Sequence, residues 1–106
     1  MANKWDNKET KALFSAILAL QSEQEAKRFF RDLLTEAEII EFGKRWQAAQ
    51  MLDKQIPYSE IVAKTGLSST TVARISKWLK SGMGGYKLML ARLADHHSPL
   101  TLSRKG

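Results

Sequence analysis

Residues 36–53 form the most demanding segment of the chain. Their apolar positions repeat at helical spacing on two stripes, Ile39, Phe42, Trp46 and Ala49 on one and Ile40, Gly43 and Ala48 on the other. A helix over this span is about 27 Å long by the 1.5 Å rise per residue, and with two apolar faces it needs cover on both. The segment 8–20 makes the same demand in its second half, since Leu13, Phe14, Ala16, Ile17, Leu18, Ala19 and Leu20 run nearly all round it there. A chain of 106 residues supports one modest core and has little left to cover such helices from within. The economical cover is a second copy, so the pattern predicts a homodimer built on residues 8–54. A monomer whose helices fold back on one another is the alternative.

Helix punctuation dominates the rest, and no segment alternates as a strand would. Ser22 with Glu25 and Thr35 with Glu38 are capping boxes that open a second and a third helix. Pro57 stops the chain, and Ser59 is placed to cap a short helix through Ile61, Val62 and Thr65 that ends at Gly66. Ser68 and Ser69 are cap candidates for a helix over 70–80, which makes 58–80 a helix-turn-helix. After Gly82, Gly84 and Gly85 comes a C-terminal helix over 85–95 carrying Leu88, Leu90 and Leu93. The prediction is therefore an all-α chain of about six short helices: an N-terminal arm at 1–7, a single helical domain at 8–95 and a flexible tail at 96–106.

Charge is unevenly distributed. Residues 1–56 hold nine basic and nine acidic groups, whereas residues 57–106 hold eight basic and two acidic ones, the whole net charge of +6. No carboxylate lies between Glu60 and Asp95. A one-signed stretch in a folded region sets up a positive potential suited to a polyanion such as nucleic acid.

Within the helix over 70–80, Val72, Ile75 and Leu79 make the stripe that is expected to be buried. Thr70, Arg74, Lys77 and Ser81 lie opposite, with Ala73 beside them. Short side chains at the start of the helix allow close approach to a major groove. An arginine can contact guanine bidentately, and a lysine can reach guanine or phosphate. Helix-start amides near Ser68 and Ser69 favour phosphate. The expected DNA-contacting set is Ser68, Ser69, Thr70, Thr71, Ala73, Arg74 and Lys77, with double-stranded DNA as partner.

Other chemistry is poorly represented. The absence of cysteine removes disulfides, zinc-thiolate sites and thiol nucleophiles. His96 and His97 are adjacent, so they lack the i, i+4 geometry of a helical metal pair, and no metal site is expected. The glycine cluster lacks the lysine and hydroxyl of a phosphate-binding loop. No nucleophile, histidine and carboxylate converge, so the chain reads as no enzyme. Trp46 and Trp78 lie beside apolar stripes and are expected in the core, while Trp5 is either an exchanged-arm anchor or loose. The longest apolar stretch, residues 12–20, is about nine residues against the roughly 20 needed to span a bilayer. With no export signal visible, a soluble cytoplasmic protein with no membrane partner is expected.

Leu34, Thr35, Glu38, Phe42, Gly43 and Arg45, followed by Gly66, Thr71, Val72, Arg74 and Ser76, resemble the tryptophan repressor superfamily. The run from Arg28 to Leu90 is most similar to its YerC/YecD branch of small bacterial regulators. The resemblance implies an intertwined homodimer and two reading heads about one DNA turn apart, a spacing rule for which the tryptophan repressor is one of the standard examples. It further implies an L-tryptophan corepressor site at Arg45 and Arg74, with Thr35 near the ligand's amino group. Two positions depart from that pattern: Ile75 stands where the repressor has glycine and Trp78 where it has serine. Larger side chains there tend to fill an indole-sized pocket, so no cofactor is expected, and Arg45 is expected to pair with Glu41.

These features predict a sequence-specific, dimeric transcriptional regulator that represses by occupying an operator. The alternatives are a sigma-region-like fragment that reads promoters as a polymerase-bound monomer, and a protein-interaction module without an operator. Nothing in the sequence names an effector.

Overall fold

The computed structural model describes residues 3–96, with side chains to residue 94. Six helices follow one another, α1 Lys8–Leu18, α2 Glu23–Leu33, α3 Glu36–Asp53, α4 Tyr58–Thr65, α5 Ser69–Ser81 and α6 Gly85–His96. No strand occurs among the described residues. The expected tail beyond His96 lies outside the described residues, and so does His97.

Two compact units divide the chain, Met1–Ile39 and Ile40–Gly106. In the first, local capping sets the helix starts. The Asn7 side chain accepts from the Thr10 amide at 2.9 Å, and the Asn7 amide donates to Thr10 Oγ1 at 2.9 Å, a reciprocal box at the start of α1. Trp5 is exposed, and its carbonyl accepts from Thr10 Oγ1. Ser22 Oγ accepts from the Glu25 amide at 3.1 Å, and Thr35 and Glu38 exchange backbone-to-side-chain bonds of 3.1 and 2.9 Å at the start of α3. The first helix ends at Leu18 rather than residue 20, because the Ala19 and Leu20 amides turn back to carbonyls three residues earlier and tighten the last turn. Neither α1 nor α2 contains a buried residue, and Leu18 is 85% exposed.

The second unit has a core. Ala48, Ala49 and Met51 of α3, Ile61 of α4, Leu67 of the turn, and Val72 and Ile75 of α5 are buried together. Trp46, Leu52, Ile56, Val62 and Tyr86 pack around them. Ala48 and Ala49 are wholly buried, and Ile61, Val72 and Ile75 fill the space between α4 and α5. The expected stripe on α5 is thus half corrected. Val72 and Ile75 are buried, Leu79 is only partly covered, and Ser76, four residues on from Val72, is buried instead.

Two helix ends differ from expectation. Ser59 does not cap α4: Pro57 holds the N-cap position at φ −59°, ψ 147°, and its carbonyl accepts from the Glu60 and Ile61 amides at 3.1 Å. Proline's fixed φ already sets the entry angle, so the helix begins two residues earlier, at Tyr58, and Ser59 sits inside it. At the end of α3, the Ile56 amide donates to the Met51 carbonyl at 3.1 Å and the Gln55 amide to Leu52 at 2.9 Å. This is a Schellman closure with Gln55, at φ 62°, in the left-handed position usually held by glycine. Ile56 then folds onto the core.

Urea denaturation at fixed protein concentration checks this packing. Ile61→Ala, which empties the centre of the α4–α5 contact, lowers stability by about 2–4 kcal/mol. Gln55→Gly removes the left-handed penalty and raises stability by about 0.5–1 kcal/mol.

Candidate nucleic-acid interface

The link between α4 and α5 is three residues long and tied from inside. Buried Thr65 donates its hydroxyl to the Ile61 carbonyl at 2.7 Å and accepts from the Leu67 amide at 3.2 Å. Gly66 takes φ 78°, which turns the chain out of α4, and its amide donates to Val62 at 2.9 Å. Leu67 is then inserted into the core. These hydrogen bonds and the insertion of Leu67 together tie the turn to the core.

Ser68 caps α5. Its Oγ accepts from the Thr71 amide at 3.1 Å and lies 3.0 Å from Thr71 Oγ1, so both hydroxyls are engaged in holding the helix start. Ser69, Thr70, Ala73, Arg74, Lys77 and Ser81 are exposed, and Thr71 is half-buried. From Thr70 to Ser81 the exposed stripe spans about 16 Å along the axis. No acidic residue occupies the first turn of α5, which leaves its positive end uncompensated. Among the described residues neither Arg74 nor Lys77 pairs with a carboxylate, whereas Lys27, Arg31 and Arg45 all do. The structure therefore separates α5 into a buried side that fixes its position and an outer side whose cations are available.

Of the three residues implied as a corepressor site, Thr35 and Arg45 are engaged locally. Arg45 Nε contacts Glu41 Oε2 at 3.3 Å, and its guanidinium carbon sits 5.9 Å from the centre of the Phe42 ring. Arg74 projects into solvent, with no hydrogen bond or ion pair joining it to Arg45 among the described residues. Thr35 belongs to the first unit, and its hydroxyl accepts the Glu38 amide. Ile75 is turned into the core, and Trp78 is 46% exposed.

Trp46 and Trp78 were the residues that sequence placed least well. Trp46 is only partly covered, stacked on Tyr86 with ring centroids 6.2 Å apart and planes 18° from parallel. Together with Trp78, Met83 and Met89 they wall an open cavity of about 860 Å³ at the C-terminal end of α5. Helical spacing marks these residues as apolar but not as facing a void, since that depends on how α6 returns after the glycine loop.

Among the described residues no group of three or more histidine, aspartate or glutamate side chains could hold a metal ion. None of the described helices is long and apolar enough to cross a membrane.

Residues 8–94 match the family described as Trp repressor protein. The chain is 36% identical over 93 residues to the uncharacterised protein YerC of Bacillus subtilis strain 168, covering 88% of this chain and 89% of that one. A crystal structure of a TrpR-like protein from Eubacterium eligens superposes with a TM-score of 0.82 at 37% identity, over 87% of this chain and 95% of that one. A Staphylococcus aureus chain provisionally described as a Trp repressor gives 0.79 at 30% identity, with the same coverage of each chain. Sequence and fold agree over nearly the same residues, and the chain belongs to the Trp repressor family, in its YerC-related branch.

Proposed function

We propose that this protein is a homodimeric, sequence-specific DNA-binding transcriptional regulator that represses by occupying an operator in the cytoplasm, and that it is not an enzyme. The observation that carries the reading is the outer face of α5. It presents short side chains at the helix start, then unpaired Arg74 and Lys77, in a segment free of carboxylates from residue 61 to residue 94. A buried core holds that face rigidly, which direct readout of base edges requires. In this reading Ser69, Thr70 and Ala73 line the groove floor, Arg74 and Lys77 contact bases or phosphates, and Ser68 and Thr71 present the helix start to the backbone.

The dimer is supported by the first unit's lack of any buried residue in α1 and α2. Phe14, Leu18, Leu33, Ile40 and Phe42 all remain about half exposed or more in the single chain. Apolar area of that size is costly in water and is covered most simply by the same area on a second copy. Residues 8–54 then form the dimer, 58–80 the reading head and 85–95 a closing helix. The operator is a palindrome whose half-sites are about 34 Å apart. L-tryptophan is not the effector, because Arg45 is already held by Glu41 and the Thr35 hydroxyl caps α3.

In fluorescence anisotropy on DNA fragments that the wild-type protein selects, Arg74→Ala weakens specific binding by roughly 10- to 100-fold. Lys77→Ala lowers the steepness of the salt dependence by about one ion. Light scattering gives twice the chain mass of 12.0 kDa for the wild type, and Leu18→Asp shifts the population toward a single chain. Isothermal titration with L-tryptophan gives no heat of binding, and the amino acid leaves operator affinity unchanged. A double variant, Arg74→Ala with Lys77→Ala, that retained full specific affinity would overturn the assignment of the reading face.

A further inference from the structure

We propose that Lys44 of α3 is a contact to the DNA phosphate backbone, a cation supplied from outside the helix-turn-helix at the end where α5 enters the groove. The inference rests on the DNA-binding reading. It adds to that reading a residue to which neither the basic run of 57–106 nor the outer stripe of α5 points.

The placement of Lys44 carries the argument. It stands four residues before Ala48 and seven before Met51, so the three share one face of α3. Ala48 and Met51 are buried in the core together with residues of α4, α5 and the turn between them. Lys44 therefore continues the core-facing stripe one helical turn further, where its length lets it reach that turn. Its Nζ lies 3.8 Å from the place that a Cβ on Gly66 would occupy. Lys44 is half-buried and Gly66 is exposed, so the aliphatic stem lies along the protein and the ammonium group ends at the surface of the turn.

The charge that arrives there is uncompensated. Glu41, one turn back on α3, is held by Arg45 at 3.3 Å, and among the described residues Lys44 has no ion pair of its own. The turn and α5 contain no acidic residue to supply one. Gly66 precedes Ser69, the first residue of α5, by three residues, which is no more than about 11 Å of chain. The ammonium group thus lies behind the helix start, away from the stripe of Thr70, Ala73, Arg74 and Lys77. A major groove is about 12 Å wide and its edges are sugar and phosphate, so a helix entering by its first turn has such an edge beside its start. Lys44 there meets a phosphate and no base, and it adds affinity and register without reading sequence.

The test compares full-length variants by fluorescence anisotropy over a range of salt, on a duplex that the wild type selects and on one of random sequence. Lys44→Met keeps the aliphatic stem and removes the charge. It is expected to weaken binding to both duplexes by about five- to tenfold at about 0.1 M salt, to lower the steepness of the salt dependence by about one ion, and to leave the ratio between the duplexes unchanged. Lys44→Arg restores the wild-type slope. Lys27 is paired with Glu23 in the first unit, and Lys27→Met leaves the slope as it was. Helical circular dichroism and the mass by light scattering are the same in every variant. A wild-type slope in Lys44→Met overturns the contact; if Arg74→Ala still weakens specific binding in the same assay, the reading face of α5 stands without it. The proposal is equally overturned by a changed ratio between the duplexes, which marks a base contact, by an equal fall in slope in Lys27→Met, which marks a general effect of lost charge, or by a changed mass or a failure of Lys44→Arg, which marks a structural role. Absence of DNA binding by the wild type overturns this inference together with the reading on which it rests.

Discussion

The contact of α4 and α5 with the last turns of α3 is the constraint from which the rest of the molecule follows. Ala48 and Ala49 are wholly buried, and Ile61, Leu67, Val72 and Ile75 are buried with them. Each of these large side chains is almost completely removed from water, and burying one contributes roughly 1.5–3 kcal/mol. With α5 pinned along one side, its other side has no freedom to turn inward. Ser69, Thr70, Ala73, Arg74 and Lys77 are therefore exposed by the same packing that buries Val72 and Ile75.

The turn between α4 and α5 works to the same end through hydrogen bonds. Thr65 closes the end of α4 and receives the Leu67 amide, Gly66 supplies the left-handed step, and Ser68 starts the next helix. A residue with a side chain at position 66 would be strained at that φ, and an apolar residue at 65 would leave the Leu67 amide without its partner. Packing and polar satisfaction agree on a single arrangement, the condition under which a short motif holds one geometry.

Most of this was legible in the sequence because it rests on local chemistry. The cap at Ser22, the box at Thr35, the stop at Gly66, the cap at Ser68 and the inward stripe of Val72 and Ile75 follow from side-chain geometry within one or two helical turns, whereas Glu25 reaches the Gln21 amide rather than that of Ser22. What failed turned on a neighbour's backbone or on longer range. Ser59 looked like a cap, but Pro57 had already fixed the entry of α4. Gln55 carries no signal for a left-handed residue, since the burial of Ile56 selects that conformation. The cavity was invisible because Trp46 and Tyr86 are forty residues apart and meet only once α6 has returned along α5. Arg45 was placed correctly beside Glu41, as i, i+4 partners on one helix face must be.

The central claim is that the outer face of α5 reads DNA sequence in pairs. Selection of genomic fragments by the wild-type protein at a low and a high salt concentration tests it most directly, because binding to phosphates alone collapses with salt while base contacts preserve a preferred set. The expected result is a small group of fragments enriched at high salt that share a palindrome with half-sites one helical turn apart. Retention that disappears at high salt with no sequence enriched would contradict the claim, and would leave the basic face as a surface for an acidic protein partner.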